Sequence, residues 1–321
     1  MSMLQVIIDT DIGCDSDDAG ALAVAFALEA EGFCRLEAVT HCTSRPDGCA
    51  AIDAIGRYYG RPDIPVGIYK PDGFLDDPSV SWYSRFLQAH FPGRFSDKKS
   101  CPDALAVMRR ALAGMEEGNG GLVGIGPMKN LAALLDSGGD AVSPLSGREL
   151  LRMKNCPLIL MAGCFDDAFI SQLEKGAEWN VKQAVYEAQY VLDSWPTEVY
   201  VVPFETGVNI RTGLSLQKGP PDNPVRVAYE RYARQSGDLM RSSWDLCTVH
   251  FAITRDPSLW GLSENGKIAV DSEGVTSFQA GRGSHYIVRA LAADRAEQVL
   301  ETWMCQPPPQ RRATACTGRF A

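Results

Sequence analysis

Five carboxylates crowd into ten residues near the start of this chain: Asp9-Thr-Asp11-Ile-Gly13-Cys-Asp15-Ser-Asp17-Asp18. Carboxylates so close raise one another's pKa and destabilise the loop that carries them unless a cation compensates. Hard divalent cations such as Ca²⁺ meet that need, because they take roughly six to eight oxygen ligands, several of them carboxylate. A helix expected to begin around Asp17 adds its N-terminal dipole, which also favours negative charge. Any one of these aspartates alone reads as a turn or cap residue, Asp17 especially. Together, directly behind an apolar strand, they read as a cage for an ion.

Such a cage needs a scaffold that holds it in place, and apolar strand-like runs alternate with amphipathic helical stretches along the chain. A strand is expected at Leu4–Asp9, a helix at Asp17–Glu31, a strand at Leu36–His41, and a helix at Asp47–Tyr59 with Asp47 as its N-cap. An extended run at Ile64–Tyr69 and a helix over Pro102–Met115 follow. Gly121–Ile125 leads into a helix near Leu131, and Pro157–Met161 reads as another strand. Beyond Gly213 the rhythm loosens, with helices at Val225–Gln235, Asp245–Ile253 and Asp294–Met304 and short strands at Lys267–Val270 and His285–Val288. This alternation predicts an α/β fold, doubly wound, with a mostly parallel central sheet and flanking helices. Ligands of such sheets bind beyond the carboxyl ends of the strands, where the aspartate cluster falls. One domain is expected over 1–305, followed by a loose tail over 306–321 rich in Pro, Arg, Thr and Ala.

Composition narrows the partners. The chain has 321 residues, 45% hydrophobic and 22% charged, with a formal charge of -9. That acidity argues against nucleic acid, whose binders carry a basic face for phosphate contacts. It suits a metal ion and a small neutral substrate. The ten cysteines are scattered and form no CxxC pair, which points to reduced thiols in a cytoplasmic protein. With four histidines and no paired ligand spacing, zinc fits poorly. The opening LQVIID has no basic and apolar leader pattern, so no signal peptide is expected. No apolar run approaches the ~18 residues of a membrane span.

The segment DTDIGCDSDDAGAL resembles the N-terminal signature of the inosine-uridine nucleoside hydrolase family, whose core is DTDxGxDD. In that family the loop holds Ca²⁺, which binds a water and the ribose hydroxyls. The resemblance implies that Asp11 ligates Ca²⁺ and acts as general base on the water. Two extra residues precede the paired aspartates here. Alignment on DDAxAL makes Asp17 a ribose ligand and Asp18 a Ca²⁺ ligand, and alignment from the left uses Asp15 instead, so the part of Asp15 stays open. Gly124-Ile-Gly-Pro-Met-Lys-Asn-Leu131 looks like the family's GPLTN turn, in which the backbone carbonyl at the position of Lys129 completes the metal site. Glu178-Trp179-Asn180 is similar to its ExN element, which binds ribose hydroxyls. A carboxylate plus an amide suits a vicinal diol, since one accepts and the other donates. Trp244-Asp245 resembles the element that delivers the last metal carboxylate, from Asp245. The likeness runs over roughly residues 4–255, and it implies a homodimer or homotetramer.

Two departures bear on substrate. Uridine-accepting members commonly place a His before the metal Asp, where this chain has Trp244. None of its histidines falls at a matching position, and His41 reads as structural. The Trp-Asp and Glu-Trp-Asn elements look similar to the purine-preferring branch, which sandwiches the base between indoles, and Trp82 is the candidate second indole. After the second strand the family often has Gly-Asn touching ribose. Here the chain reads Thr40-His-Cys-Thr-Ser-Arg-Pro46, leaving Ser44 or Arg45 as substitutes.

The expected activity is Ca²⁺-dependent hydrolysis of the N-glycosidic bond of a ribonucleoside, with purines preferred. Direct attack of water at C1′ implies an oxocarbenium-like transition state and inversion. Two alternatives differ in class. One is a nucleoside- or sugar-binding protein that does not cleave. The other is a haloacid-dehalogenase-like phosphatase with Asp9 as nucleophile and Mg²⁺, a reading that leaves Glu-Trp-Asn and Trp-Asp unexplained.

Overall fold

Buried parallel strands read as near-continuous apolar runs, because both faces are covered. Strand β1, Leu4–Thr10, is such a run. Val6 and Ile8 enter one hydrophobic core while Ile7 enters the other, on the opposite face of the sheet. The computed structural model describes residues 3–309.

The remaining strands are β2 Cys34–His41, β3 Val66–Ile68, β4 Gly120–Ile125, β5 Leu158–Met161, β6 Val199–Val202, β7 Arg211–Thr212, β8 Arg241–Ser242, β9 Trp260–Leu262, β10 Gly266–Val270, β11 Thr276–Ala280 and β12 His285–Ala290. The large sheet runs β11-β10-β12-β6-β5-β4-β1-β2-β3, and β9 pairs with β12. From β3 across to β12 every neighbouring pair is parallel. Strands β9, β10 and β11 join antiparallel at the far edge. A separate small antiparallel pair joins β7 to β8. The fold is therefore α/β with a mostly parallel sheet and helices on both faces.

Strand order reverses at β1. The chain moves outward through β2 and β3, then returns to pair β4 against the other side of β1. Loops leaving β1 and β4 consequently diverge and open a crevice at their carboxyl ends, the usual ligand position in an open α/β sheet.

Helix Asp17–Ala30 springs from the aspartate loop and is buried along almost its whole length, so it lacks a polar face. It packs against helix Trp244–Thr254, which is also buried nearly all round, and against helix Ala293–Met304.

Several boundaries differ from the sequence reading. Helix Pro46–Tyr58 starts before Asp47, with Arg45 at the N-cap. Asp47 lies in its first turn and accepts a hydrogen bond from the Ser84 hydroxyl. The expected helix from Pro102 begins at Ala104, where the Asp103 carboxylate accepts from Leu105 N at 2.8 Å. Strand β6 and helices Ser84–His90, Gly147–Met153 and Val185–Ser194 add to the elements expected from sequence. Of the tail expected over 306–321, residues 310–321 lie outside the described residues. All nine cysteines among the described residues are free. No described helix is long and apolar enough to cross a membrane.

Leu22, fully buried in helix Asp17–Ala30, belongs to the core that holds the aspartate loop. Leu22→Ala should destabilise the protein by about 2–5 kcal/mol, the usual range for a buried leucine that leaves a cavity. Chemical denaturation measures it, and a loss below ~1 kcal/mol would mean that the site collapses around the missing atoms.

Candidate active site

The carboxyl ends of β1, β2, β4 and β5 open into a cavity of about 630 Å³. Asp11 enters it from the loop after β1, and Thr43 and Arg45 from the loop after β2. Ile125 enters at the end of β4 and Met161 at the end of β5. Asp17 and Asp18 belong to the first turn of helix Asp17–Ala30, and Asp245 to the first turn of helix Trp244–Thr254. The two helix N-termini meet: Asp245 N donates to Asp17 Oδ2 at 3.2 Å. Their dipoles converge on the carboxylates and favour the charged forms.

One oxygen from each of Asp17, Asp18 and Asp245 falls within 4.8 Å of the others, and all three residues are buried. Among the described residues this is the group of acidic, histidine or cysteine ligands close enough to share an ion. An all-carboxylate set suits a hard divalent cation. The Thr10 hydroxyl donates to Asp18 Oδ1 and fixes its rotamer. Asp11 lines the same cavity outside that triad.

Electrostatics bear out the crowding. Burial, then neighbouring aspartates, pushes Asp18 and Asp245 well above the carboxylate range, and burial with Asp15 does the same to Asp17. Asp11 is pushed up to about 7 by burial, against the pull of Arg45 and a hydrogen bond from the Trp179 side chain.

Glu178 caps the short helix Trp179–Gln183. Its carboxylate accepts from Asn180 N at 2.8 Å, Val181 N at 3.3 Å and Gly163 N at 3.1 Å, and burial still lifts it to about 7. Asn180 Nδ2 donates to Met161 O at 3.1 Å. Both side chains are thereby locked at the cavity wall.

Asp15 takes a different place from the triad. Its carboxylate accepts a two-nitrogen grip from Arg241, with Nε at 2.8 Å from Oδ1 and Nη2 on Oδ2. The Lys129 side chain points elsewhere, its Nζ 2.5 Å from Glu187 and 4.9 Å above the Phe74 ring. Next to it, Asn130 Nδ2 donates to Asp9 Oδ1 at 2.8 Å. Asp9 also accepts from Thr40 Oγ1 at 2.6 Å and is absent from the cavity wall, a poor placement for a nucleophile.

Trp82, Trp179 and Trp244 all line the cavity. Trp244 is largely committed, stacked on Phe204 at 5.3 Å, with the Arg241 guanidinium 4.7 Å from its ring centre. Trp82 lies 5.5 Å from Tyr232 at a tilt, and Trp179 is 52% exposed, so these two keep ring surface for a ligand. Ser44 turns away, bonding Pro71 O at 2.6 Å. His41 is structural in its contacts, bonded to Thr10 O at 3.1 Å and Thr43 Oγ1 at 2.8 Å.

Arg241, Tyr232, Phe204 and Leu173 reach the cavity without any local pattern in sequence that marks them. Tyr83, beside Trp82, carries the aspartate loop, because its hydroxyl donates to Asp15 O at 2.6 Å and accepts from Gly13 N at 3.1 Å.

No protein-family model matches the chain, and no curated protein does. Solved structures do match. A plant nucleoside hydrolase aligns with a TM-score of 0.68 at 20% identity, covering 95% of this chain and 100% of that one. The inosine-uridine preferring nucleoside hydrolase from Bacillus anthracis aligns with a TM-score of 0.70 at 16% identity, covering 94% and 99%. The type III effector protein XopQ, solved with adenosine diphosphate ribose, aligns with a TM-score of 0.65 at 15% identity, covering 95% and 93%. The protein thus has the nucleoside hydrolase fold over nearly its whole length.

The raised carboxyls set a pH dependence. A folded-state pKa above the unfolded value means that stability is full below the unfolded pKa and falls as pH rises through the folded one. For Asp11 and Glu178 the loss runs from the ordinary carboxylate range up to about 7, and for the triad it extends higher. Asp245→Asn removes one of the repelling charges. In chelator at pH 8 it should raise Tm and flatten the fall between pH 5 and pH 8, a shift that calorimetry reads. An unchanged or lower Tm would place the repulsion elsewhere.

Proposed function

We propose that this protein hydrolyses the N-glycosidic bond of ribonucleosides, with a divalent cation, Ca²⁺ by preference, held by the carboxylates of the cavity. The observation that carries the reading is the triad of buried carboxylates Asp17, Asp18 and Asp245 beside Asp11, at the strand-order reversal of a nucleoside hydrolase fold. Their oxygen donors fit a hard cation, with Asp11 and the Lys129 carbonyl as the further ligands that the family resemblance implies. When bound, such an ion supplies positive charge that lowers the pKa of water and anchors vicinal hydroxyls.

The chain's own residues do the rest. Glu178 and Asn180, already fixed by backbone hydrogen bonds, offer a carboxylate and an amide to the sugar. Asp11 takes the proton of the attacking water. Water attacks C1′ as the C1′–N bond breaks. Acidic side chains around the ribose stabilise the positive charge of the transition state more than the neutral substrate, which is the condition for acceleration. Trp82 and Trp179 present ring faces to the base, the support for a purine preference. Assembly as a homodimer or homotetramer and a cytoplasmic location belong to the same proposal.

A second reading is a ribosyl-binding protein that does not cleave; the effector solved with adenosine diphosphate ribose supports its ribosyl-binding part. Tight ribose binding without base release from any nucleoside would establish it.

A panel of inosine, adenosine, guanosine, uridine and cytidine, assayed for free ribose with and without chelator, tests the activity. Release with purines ahead of pyrimidines, abolished by chelator and restored by Ca²⁺, is expected. Asp11→Asn should lower kcat by ~10²–10⁴-fold, the usual worth of a general base. Retention of most wild-type turnover would remove Asp11 from that role. Gly126 packs on Asp11: a methyl built there would sit 2.8 Å from Asp11 Oδ1. Gly126→Ala should therefore displace the base and lower kcat by about 10²-fold, the effect of a misplacement near 1 Å. Unchanged kcat would show that Asp11 is placed by other contacts.

A further inference from the structure

Two cations line the cavity, and they differ in one respect. Arg241 is spent on Asp15. Arg45 is 4% exposed, and its Nε and Nη1 are buried with no hydrogen-bond partner among the described residues. A guanidinium stays charged at any ordinary pH and presents its N–H groups in a planar fork. Leaving such donors buried and unmatched is costly, so a side chain kept in that state is prepared for an acceptor. Of its acidic neighbours, Asp11 feels its charge across the cavity, and the other two are engaged elsewhere. Asp47 accepts from Ser84, and Asp77 accepts from Ser79 N at 2.8 Å.

The location of the fork narrows what the acceptor is. A methyl built on Gly13 would lie 2.5 Å from Arg45 Nη2 and 2.9 Å from Ser84 Oγ. Gly13, at φ +144°, thus leaves the space in which the fork sits. Arg45 therefore lies between the aspartate loop and the segment that carries Trp82. Leu75, Asp77 and Val80 line the same cavity. The carboxylate triad, Glu178 and Asn180 suit the sugar, which leaves Arg45 and Trp82 among the lining residues for the base.

N-glycoside cleavage has a requirement that the residues assigned so far do not meet. The departing base takes the bonding electron pair and must be stabilised as it leaves. No histidine lines the cavity. His41 is pushed down to about 3, chiefly by burial, and both its ring nitrogens are hydrogen-bonded.

We infer that Arg45 is a catalytic residue that binds the leaving base, its guanidinium N–H groups donating to ring-nitrogen and carbonyl acceptors as negative charge develops there. The inference rests on the N-glycosidase reading. Water oxygen forms the new bond to C1′, and its proton passes to Asp11. The C1′–N pair leaves with the base, whose anion is held by Arg45 and then takes a proton from solvent. The products are ribose and the neutral base. Because the charge appears only as the bond breaks, the interaction is stronger in the transition state than in the ground state, as rate enhancement demands.

Substrates with different leaving groups test this. Inosine needs help at the base, whereas 4-nitrophenyl β-D-ribofuranoside releases a stable anion unaided. Arg45→Met should lower kcat/KM for inosine by ~10²–10³-fold, the loss typical of one oxyanion donor, and for the nitrophenyl riboside by less than ~5-fold. Arg45→Lys keeps the charge without the fork and should fall between wild type and Arg45→Met on inosine. If Arg45→Met fails to fold, Arg45→Lys carries the same two-substrate comparison. Equal losses on both substrates, or none on inosine, overturn the inference alone. A wild-type enzyme that cleaves neither riboside overturns the N-glycosidase reading, and this inference with it.

Discussion

Buried like charge is the constraint on which the rest of this structure depends. Asp17, Asp18 and Asp245 bring carboxylate oxygens within 4.8 Å of one another in a largely buried setting. Isolated from water, such groups either bind protons or need positive charge nearby. The surroundings meet part of that need. Two helix N-termini converge on the triad, the Thr10 hydroxyl donates to Asp18, and an Asp245 backbone N–H donates to Asp17. Arg241 holds Asp15 in an ion pair and offsets part of its charge, although Asp15 still pushes Asp17 upward. What is left unbalanced is a local excess of negative charge aimed at one small volume, which is what a site for a divalent cation and a polyhydroxylated sugar requires.

That excess explains why the scaffold is so rigid around it. Helices Asp17–Ala30 and Trp244–Thr254 are buried almost all round, so neither can rotate away to relieve repulsion. Tyr83 pins the aspartate loop from both sides through Asp15 O and Gly13 N. Glu178 is held by three backbone N–H groups. Stability stored in the packing is thus set against electrostatic strain in the site, an arrangement in which binding a cation stabilises the fold as well as the chemistry.

The cavity is also asymmetric in charge. On the proposed reading the carboxylates gather where the sugar cation forms, and Arg45, two of whose nitrogens are without a hydrogen bond among the described residues, lines the same cavity as Trp82. Cleavage of an N-glycoside separates positive from negative charge along the C1′–N bond. A site polarised in the same direction lowers the energy of that separation without having to reorganise.

Much of this was legible in the sequence. The apolar run Leu4–Asp9, the five aspartates behind it and the alternating pattern up to Met161 pointed to a doubly wound sheet with its site at the strand ends, because strand and helix periodicities are local properties. The aspartate cluster and the family resemblance together marked Asp11, Asp17, Asp18, Glu178 and Asp245 as chemistry-bearing residues, all of which line one cavity. Only tertiary structure decided how they divide the work. Asp15 and Asp17 look alike in sequence, yet one meets Arg241, 226 positions away, and the other meets Asp245. Trp244 and Trp179 look equally able to stack, yet Phe204 and Arg241 flank Trp244 while Trp179 stays half exposed. Arg45 reads in sequence as a substitute for a sugar-touching asparagine, and only the tertiary structure shows that two of its guanidinium nitrogens are buried without a hydrogen bond among the described residues. Periodicity and composition travel along the chain. Charge pairing and solvent exclusion depend on which distant segments meet, and no local pattern encodes that.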